Sequence, residues 1–442
     1  MSEPLYKVQR RLSRRRVKAV NKGLIGLLDL GSAKIVCFIL QFTPNQEKKY
    51  QSVEPTTLPK NVAFRIAGVA TTRSRGLGLG EIEKMDEVQK AIRTVVQAAQ
   101  KMAGLLLEDV LVSFSGGDPK SYGVVGKTKI TDHGVTELDI GNALANSQVP
   151  DYGASREVIH ALPVNFSIDD RTGLVDPRGQ LGDELTVDLH LMTVEQNVID
   201  NVIQAIRGCH LDLAGLSFAP YLAGTSSLTE DELNLGAACI DLGAEISGVT
   251  IFLKKQMIFG GAVKMGGSHV TQDITKAFNI SFDTAERIKN LHGGLISTSR
   301  DDRDLIEVSN NNDDKIAISR SELIGVIRPR VEEILEEVFE HLKGAGFTTL
   351  NNKKVVLTGG ASQLPGLFDV ASKILGCSVR IGKPLRVQGL PHATNGPAFA
   401  SAVGLALHAG HPQDECWDFN VSFKNSGLKS VNGAFKWFFE NW

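Results

Sequence analysis

The sequence predicts an α/β fold of two related halves facing each other across a cleft, with a small α+β unit inserted into the first half. Three features carry that prediction. LLDLGSAKIVCFI (residues 27–39) and CIDLGAEISGVTI (residues 239–251) repeat one order: apolar strand, Asp-Leu-Gly, a small-residue turn, a second apolar strand. A later apolar strand runs into paired glycines in VVLTGGASQLPG (residues 355–366). Between Gly116 and Gly182, short apolar runs set apart by turn residues depart from the pattern of the halves and read as a unit of their own.

In chain order, residues 23–40 read as strand, tight turn and strand, and the polar stretch 41–60 as a loop. Residues 64–70 form another strand, followed by the glycine-rich TTRSRGLGLG. Over 85–103 the apolar residues Val88, Ile92, Val95, Val96, Ala99 and Met102 recur with helical spacing. Strand-like runs follow at 110–115, 122–125, 157–163 and 185–194, then a helix at 198–209 and two strands around the second Asp-Leu-Gly. Residues 301–315 (DDRDLIEVSNNNDDK) read as an exposed insertion. A long helix is expected over 321–342, with Pro329 positioned to kink it. A strand at 354–358 and an apolar helix at 401–409 complete the body, and the polar stretch 411–430 reads as a tether.

A net charge of only −2 argues against a nucleic-acid binder. The charge is uneven, however: residues 1–22 carry eight basic side chains against Glu3 alone. Their apolar residues are scattered, so this arm is predicted to be disordered, serving either as a solubilising tail or as a weak attraction to anionic lipid. No apolar run approaches the roughly 20 residues of a spanning helix, and no signal peptide is apparent. Five well-separated cysteines (Cys37, Cys209, Cys239, Cys377, Cys416) match neither a zinc spacing nor a disulfide framework and suit a reducing compartment.

The repeated hairpin has a chemical use. Successive backbone N–H groups in a small-residue turn make a nest for phosphate oxygens. Gly31, Ser32 and Ala33 supply one such turn, with Lys34 adding a positive charge; Gly243 and Ala244, followed by Glu245, supply the other. Asp29 and Asp241 stand at the strand ends, where carboxylates can hold the water shell of magnesium. Gly359, Gly360 and Ala361 offer flat backbone beneath an adenine ring. Gly266 and Gly267, at a helix start, offer a further approach to phosphate. Glu286 and Lys289, three apart on a short helix, can reach ribose and base from one face.

These motifs together resemble the actin, sugar-kinase and heat-shock-chaperone superfamily, and most closely the FtsA family of bacterial cell-division proteins. GLLDLGSAK and CIDLGAEISGV look like its two phosphate motifs, VVLTGGASQLPG its adenosine motif, and GGSHVTQDI with AERIK its helix-and-adenosine pair. AIRTVVQAAQKMAG, FSGG, VIHALPVNFSIDD and DPRGQLGDEL look like the small subdomain peculiar to that family, and SFAPYLAG like the segment crossing between halves. The resemblance implies an actin-like fold divided as follows. Residues 23–84 and 185–226 would form the first domain, 85–184 the inserted subdomain and 227–410 the second domain, with the arm at 1–22 and the linker at 411–430 outside them.

It further implies binding of ATP and Mg2+, self-association into filaments, and capture of the C-terminal tail of FtsZ near Arg330. The place of action would be the cytoplasmic face of the cell membrane at the division site, where other divisome proteins are recruited. An actin-fold small-molecule kinase or ATPase is the alternative. The turn Gly243-Ala244-Glu245 departs from the family's glycine-rich second motif, which predicts slow or vestigial hydrolysis.

Residues 431–442 (VNGAFKWFFENW) form an amphipathic pattern at 100° per residue. Val431, Phe435, Phe438, Phe439 and Trp442 share one side, Lys436 and Glu440 the other, and Trp437 lies outside the stripe. Too short to cross a bilayer, this helix is expected to lie in an anionic membrane surface through Phe435, Trp437, Phe438, Phe439 and Trp442.

Overall fold

The computed structural model describes residues 7–42, 63–131, 134–147, 149–153, 155–312, 314–350, 353–384 and 391–419. Its two halves are built on five-stranded sheets with the same topology. In the first, the order is Asp212–Phe218, Asp109–Phe114, Leu24–Leu30, Lys34–Phe42, Phe64–Arg73. In the second it is Ser378–Ile381, Lys354–Thr358, Ala237–Leu242, Ser247–Leu253, Gln256–Val263. Each Asp-Leu-Gly strand is central, antiparallel to its hairpin partner and parallel to the strand on its other side. Central strands covered on both faces need unbroken apolar sequence, and Ile25, Leu27 and Leu28 or Ala237, Ala238, Cys239 and Ile240 are accordingly buried.

The halves meet through the crossover helix Ala219–Ser227 and its counterpart Ala400–Gly410. A Cβ on Gly404 would lie 1.9 Å from the Leu222 carbonyl oxygen, so only glycine permits this approach of backbones. Cys37 and Cys239 are fully buried in the core, and the described cysteines are free thiols.

The inserted unit is an antiparallel sheet ordered Lys120–Lys129, Glu184–Glu195, Arg156–Ile168, Arg171–Leu174. The helix Glu137–Ala145 packs on it, started by a reciprocal cap between Thr136 and Asp139. The expected limits 85–184 need correction at both ends. Helix Met85–Ala103 packs its apolar stripe on the first-half sheet, and Asp109–Phe114 is a strand of that sheet, whereas Glu184–Glu195 belongs to the inserted one. Periodicity identifies an apolar face but not which sheet it covers.

Three further expectations are corrected. The stretch 301–315 is not merely exposed: Leu305–Ser309 and Lys315–Ser319 form a hairpin that buries Ile306, Val308 and Ile318. Asp301 is buried too, accepting from Thr298 and Arg320. The long helix expected over 321–342 is present as Arg320–Gly344, capped by Ser319 and Glu322, with Pro329 inside it.

The basic arm is also ordered from Lys7. Helix Lys7–Lys22 docks on the strand Asp212–Phe218 and on residues 416–418, burying Leu12, Val17, Ala19 and Val20. Burial of each large apolar side chain contributes about 1.5–3 kcal/mol, enough to offset the entropy of ordering. Nor does the tether begin at 411: Cys416, Trp417 and Phe419 pack into the core of the inserted unit. Glu415 accepts from the Ala161 N–H and contacts His160. Residues 420–442, with the proposed amphipathic helix, lie outside the described residues. Among the described residues, no helix is long and apolar enough to cross a membrane.

Candidate nucleotide-binding cleft

Asp29 is the last but one residue of its strand, opposite Val36, and Asp241 the last but one of its own, opposite Gly248. Asp29 Oδ1 accepts from Ser113 Oγ at 2.8 Å and Oδ2 from Ser401 Oγ at 2.7 Å, which fixes the carboxylate across the junction of the halves. Burial raises its pKa, offset in part by both hydroxyls and by Lys34. The Asp241 carboxyl is pushed up to about 7, first by burial and then by the facing charge of Asp29. Two carboxyl groups that repel across a cleft form a favourable seat for a hydrated divalent cation.

The first turn closes through Lys34, whose Nζ lies 3.3 Å from the centroid of the Phe399 ring. Burial lowers the pKa of this ammonium while Asp29 raises it. A cation–π contact of this kind parks the charge within reach of the phosphate nest. In the second turn the Gly243 N–H is engaged by the Asp241 and Ile246 carbonyls. Among the described residues, the N–H groups of Ser32, Ala33, Ala244 and Glu245 donate to no backbone carbonyl outside their strands, so both turns retain donors for an anion.

Gly266 and Gly267 are tied to the second turn. The Gly267 N–H donates to Gly243 O at 3.0 Å and the Ser268 N–H to Ala244 O at 2.6 Å. The start of helix Gly267–Phe278 therefore grips the second turn. A Cβ on Gly266 would lie within 2.8 Å of Gly243 O and of Ala244 backbone atoms, so the approach itself requires glycine. Glu245 is also engaged: its Oε2 accepts from the Leu79 N–H of the first half at 2.6 Å, bridging the cleft.

Glu286 and Lys289 meet as expected, at 2.7 Å, but around a third residue. Thr271 Oγ1 donates to Glu286 at 2.5 Å and is 2.7 Å from Lys289 Nζ, which also donates to Gly267 O. Lys289 and Thr271 together hold the Glu286 pKa below its usual range against burial. Ala361 lies against Gly267, so Ala361, Gly267, Lys289 and Glu286 adjoin one another. Gly359 joins these residues to Asp241. Its φ is +86°, and a Cβ there would meet Asp241 Oδ1 at 2.4 Å and Leu242 O at 2.5 Å. Gly360 beside it faces nearly open space.

The structure thus brings Asp29 and Asp241 within electrostatic reach of each other and sets Glu286, Lys289, Gly267 and Ala361 in one cluster. Ser113, Ser401, Phe399, Thr271 and Leu79 were not foreseen. No local pattern marks them, because each reaches the cleft only through long-range packing. Arg330 is engaged with Asp273 at 2.6 Å and Glu333 at 2.5 Å.

Comparison with known proteins agrees with this arrangement. Residues 238–404 match the family model described as Cell division protein FtsA, and residues 116–193 that of the SHS2 domain inserted in FtsA. The second match falls within the inserted sheet. The chain is 35% identical over 416 residues to Cell division protein FtsA of Rhizobium meliloti (strain 1021), covering 93% of this chain and 91% of that protein. Among solved structures, the PilM–PilN type IV pilus biogenesis complex superposes with a TM-score of 0.59 at 16% identity, covering 87% of this chain and 98% of that one. MreB5 of Spiroplasma citri bound to ADP gives 0.50 at 14% identity, covering 87% and 95%. At these identities the structural matches speak to the fold alone.

Proposed function

The chain belongs to the FtsA family, the actin-like cell-division proteins that anchor the FtsZ ring, and we propose that it does so as a nucleotide-controlled membrane adaptor that binds Mg2+ and ATP between its halves. The observation that carries this reading is the pair of Asp-Leu-Gly strand ends whose aspartates repel across the cleft while donors in the adjoining turns stay unpaired. Asp29 and Asp241 would orient the cation's water shell, and the cation would neutralise phosphate oxygens. Ser32, Ala33, Ala244 and Glu245 would donate their N–H groups, with Lys34 released from Phe399 toward the phosphates. The wall of Gly359, Gly360, Ala361, Glu286 and Lys289 would receive the adenosine.

Hydrolysis is slow in this account. Glu245 holds Leu79, and neither His160 nor His190 is available as a base. His160 is buried against Glu415 and the Phe218 N–H, and His190 is buried against Ser121. These engagements also disfavour a small-molecule kinase, which needs a base beside the acceptor hydroxyl. Filament formation, capture of the FtsZ tail near Arg330 and attachment through residues 431–442 complete the proposal.

Titration calorimetry with Mg2+ and ATP tests the cleft. Asp241→Asn is expected to weaken binding roughly 10–100-fold, as for groups that orient metal ligands. Unchanged affinity would remove the metal seat from the account. Sedimentation with liposomes tests the anchor: a chain ending at Ser430 should lose binding that the full chain shows.

A further inference from the structure

We propose that the exposed face of helix Lys7–Lys22 is a second membrane contact, laid by Arg11, Arg14 and Lys18 on an anionic lipid surface. The proposal rests on the reading that residues 431–442 hold the protein at a bilayer, and adds a separate surface with separate chemistry.

The helix is docked on its apolar side by Leu12, Val17, Ala19 and Val20, which fixes what the other side presents. Arg11, Arg14 and Lys18, spaced by three and four, are exposed on one face. None of the three has an ion-pair partner among the described residues. The acids flanking the helix are already matched elsewhere: Asp109 and Asp212 by Arg15, and Glu108 by Lys22 at 3.1 Å. What remains outward is a stripe of one sign.

A solvated charged face is ordinary, but this one is on a helix that packs on residues 416–418, close to the last described residue. Ser13, between Arg11 and Arg14 in sequence, donates its hydroxyl to Asp418 Oδ1 at 2.7 Å. Phe419, the last described residue, follows and is buried. The residues from 420 to 430 then span at most about 36–40 Å even when fully extended. A bilayer holding the aromatic segment therefore lies within that reach of Phe419, on the part of the molecule to which the helix is docked. Arg16, turned inward and bonded to His408 Nε2 at 2.8 Å, keeps the helix from rolling.

Each basic residue near an anionic surface contributes about 1 kcal/mol, or roughly fivefold in partitioning, so three give on the order of 100-fold. The test is sedimentation of the full chain with vesicles of pure phosphatidylcholine or with one-third phosphatidylglycerol, melting temperature being recorded for every variant. Arg11→Gln/Arg14→Gln/Lys18→Gln should lose roughly 100-fold on the anionic vesicles and almost nothing on the neutral ones. Half-molar salt should erase the difference from the unaltered chain. A control with Lys90→Gln, Lys101→Gln and Lys373→Gln, exposed on other elements, should bind nearly as the unaltered chain does. If the triple variant does not fold, Arg14→Gln alone should still show roughly the fivefold loss. Equal binding of the stripe variant and the unaltered chain to anionic vesicles, or an equal loss in the control, overturns the proposal. A chain ending at Ser430 that keeps full binding to neutral vesicles instead overturns the anchor reading on which it rests.

Discussion

Replacing Arg16 with methionine should loosen the whole N-terminal helix while leaving its fit by volume nearly intact. The guanidinium is buried at 6% exposure, and its Nε has no hydrogen-bond partner. Burial lowers its pKa, opposed by Asp418, Glu415 and Tyr221. It also helps depress the His408 pKa, behind burial, and opposes the burial that raises that of Asp418. Removing one member of such a buried set leaves the others uncompensated, at a cost of about 3–5 kcal/mol. Release of the unsatisfied Nε returns roughly 1–2 kcal/mol. The net is about 1–4 kcal/mol, or roughly 5–1,000-fold in the local opening equilibrium. Hydrogen exchange read by mass spectrometry on peptides covering residues 8–22 and 411–419 measures it directly. Both should exchange faster in Arg16→Met by that factor, while the second-half sheet is unchanged. If residues 8–22 exchange at the rate of a free peptide in the unaltered chain, or if Arg16→Met changes nothing, the docked helix is wrong.

Three other outcomes follow from the cleft. Gly359→Ala forces a side chain into a left-handed backbone against the Leu242 carbonyl and Asp241, so urea unfolding should register a loss of about 2–4 kcal/mol, with weaker nucleotide binding. A loss of less than about 0.5 kcal/mol, the range of an ordinary surface substitution, would refute that close approach. The Asp241 carboxyl, raised to about 7 from an ordinary 3.8, binds its proton more tightly in the folded state. Its contribution is therefore full below about pH 4 and is lost as pH rises through about 7, with a ceiling of about 4 kcal/mol that solvent in the cleft reduces. Thermal melts of nucleotide-free protein should be steeper in pH for the unaltered chain than for Asp241→Asn, and parallel profiles would contradict the shift. Glu245→Ala removes the link to Leu79 and should speed exchange of the Leu79 amide about tenfold, as for a hydrogen bond of about 1.5 kcal/mol to a charged group. No change there would mean the bridge does not hold the cleft.

Much of the fold could be read in advance because its strongest signals are local. The two Asp-Leu-Gly hairpins carry their own strand periodicity and turn, and they proved to be equivalent central strands in sheets of one topology. The N-terminal helix escaped because its stripe is Leu12, Arg16, Ala19 and Val20, with an arginine where an apolar residue was sought. The groups that make that burial tolerable, His408, Glu415 and Asp418, lie roughly four hundred residues away. The same distance hides Cys416, Trp417 and Phe419, which look like part of a tether until the inserted sheet receives them. In the cleft, the residue types of the turns were legible but their hydrogen bonds were not. Gly266 and Gly267 were legible as a helix start, but not the hold of that start on the neighbouring turn. Glu245 was legible as the residue closing the second turn, but not the reach of its carboxylate to Leu79 in the opposite half.

A crystal structure of the chain with Mg2+ and a non-hydrolysable ATP analogue tests the central claim most directly. Phosphates are expected between the turn at Gly31–Lys34 and the turn at Gly243–Glu245, the cation's waters on Asp29 and Asp241, and the base against Gly359–Ala361. A nucleotide bound elsewhere, or one touching a single half, would contradict it.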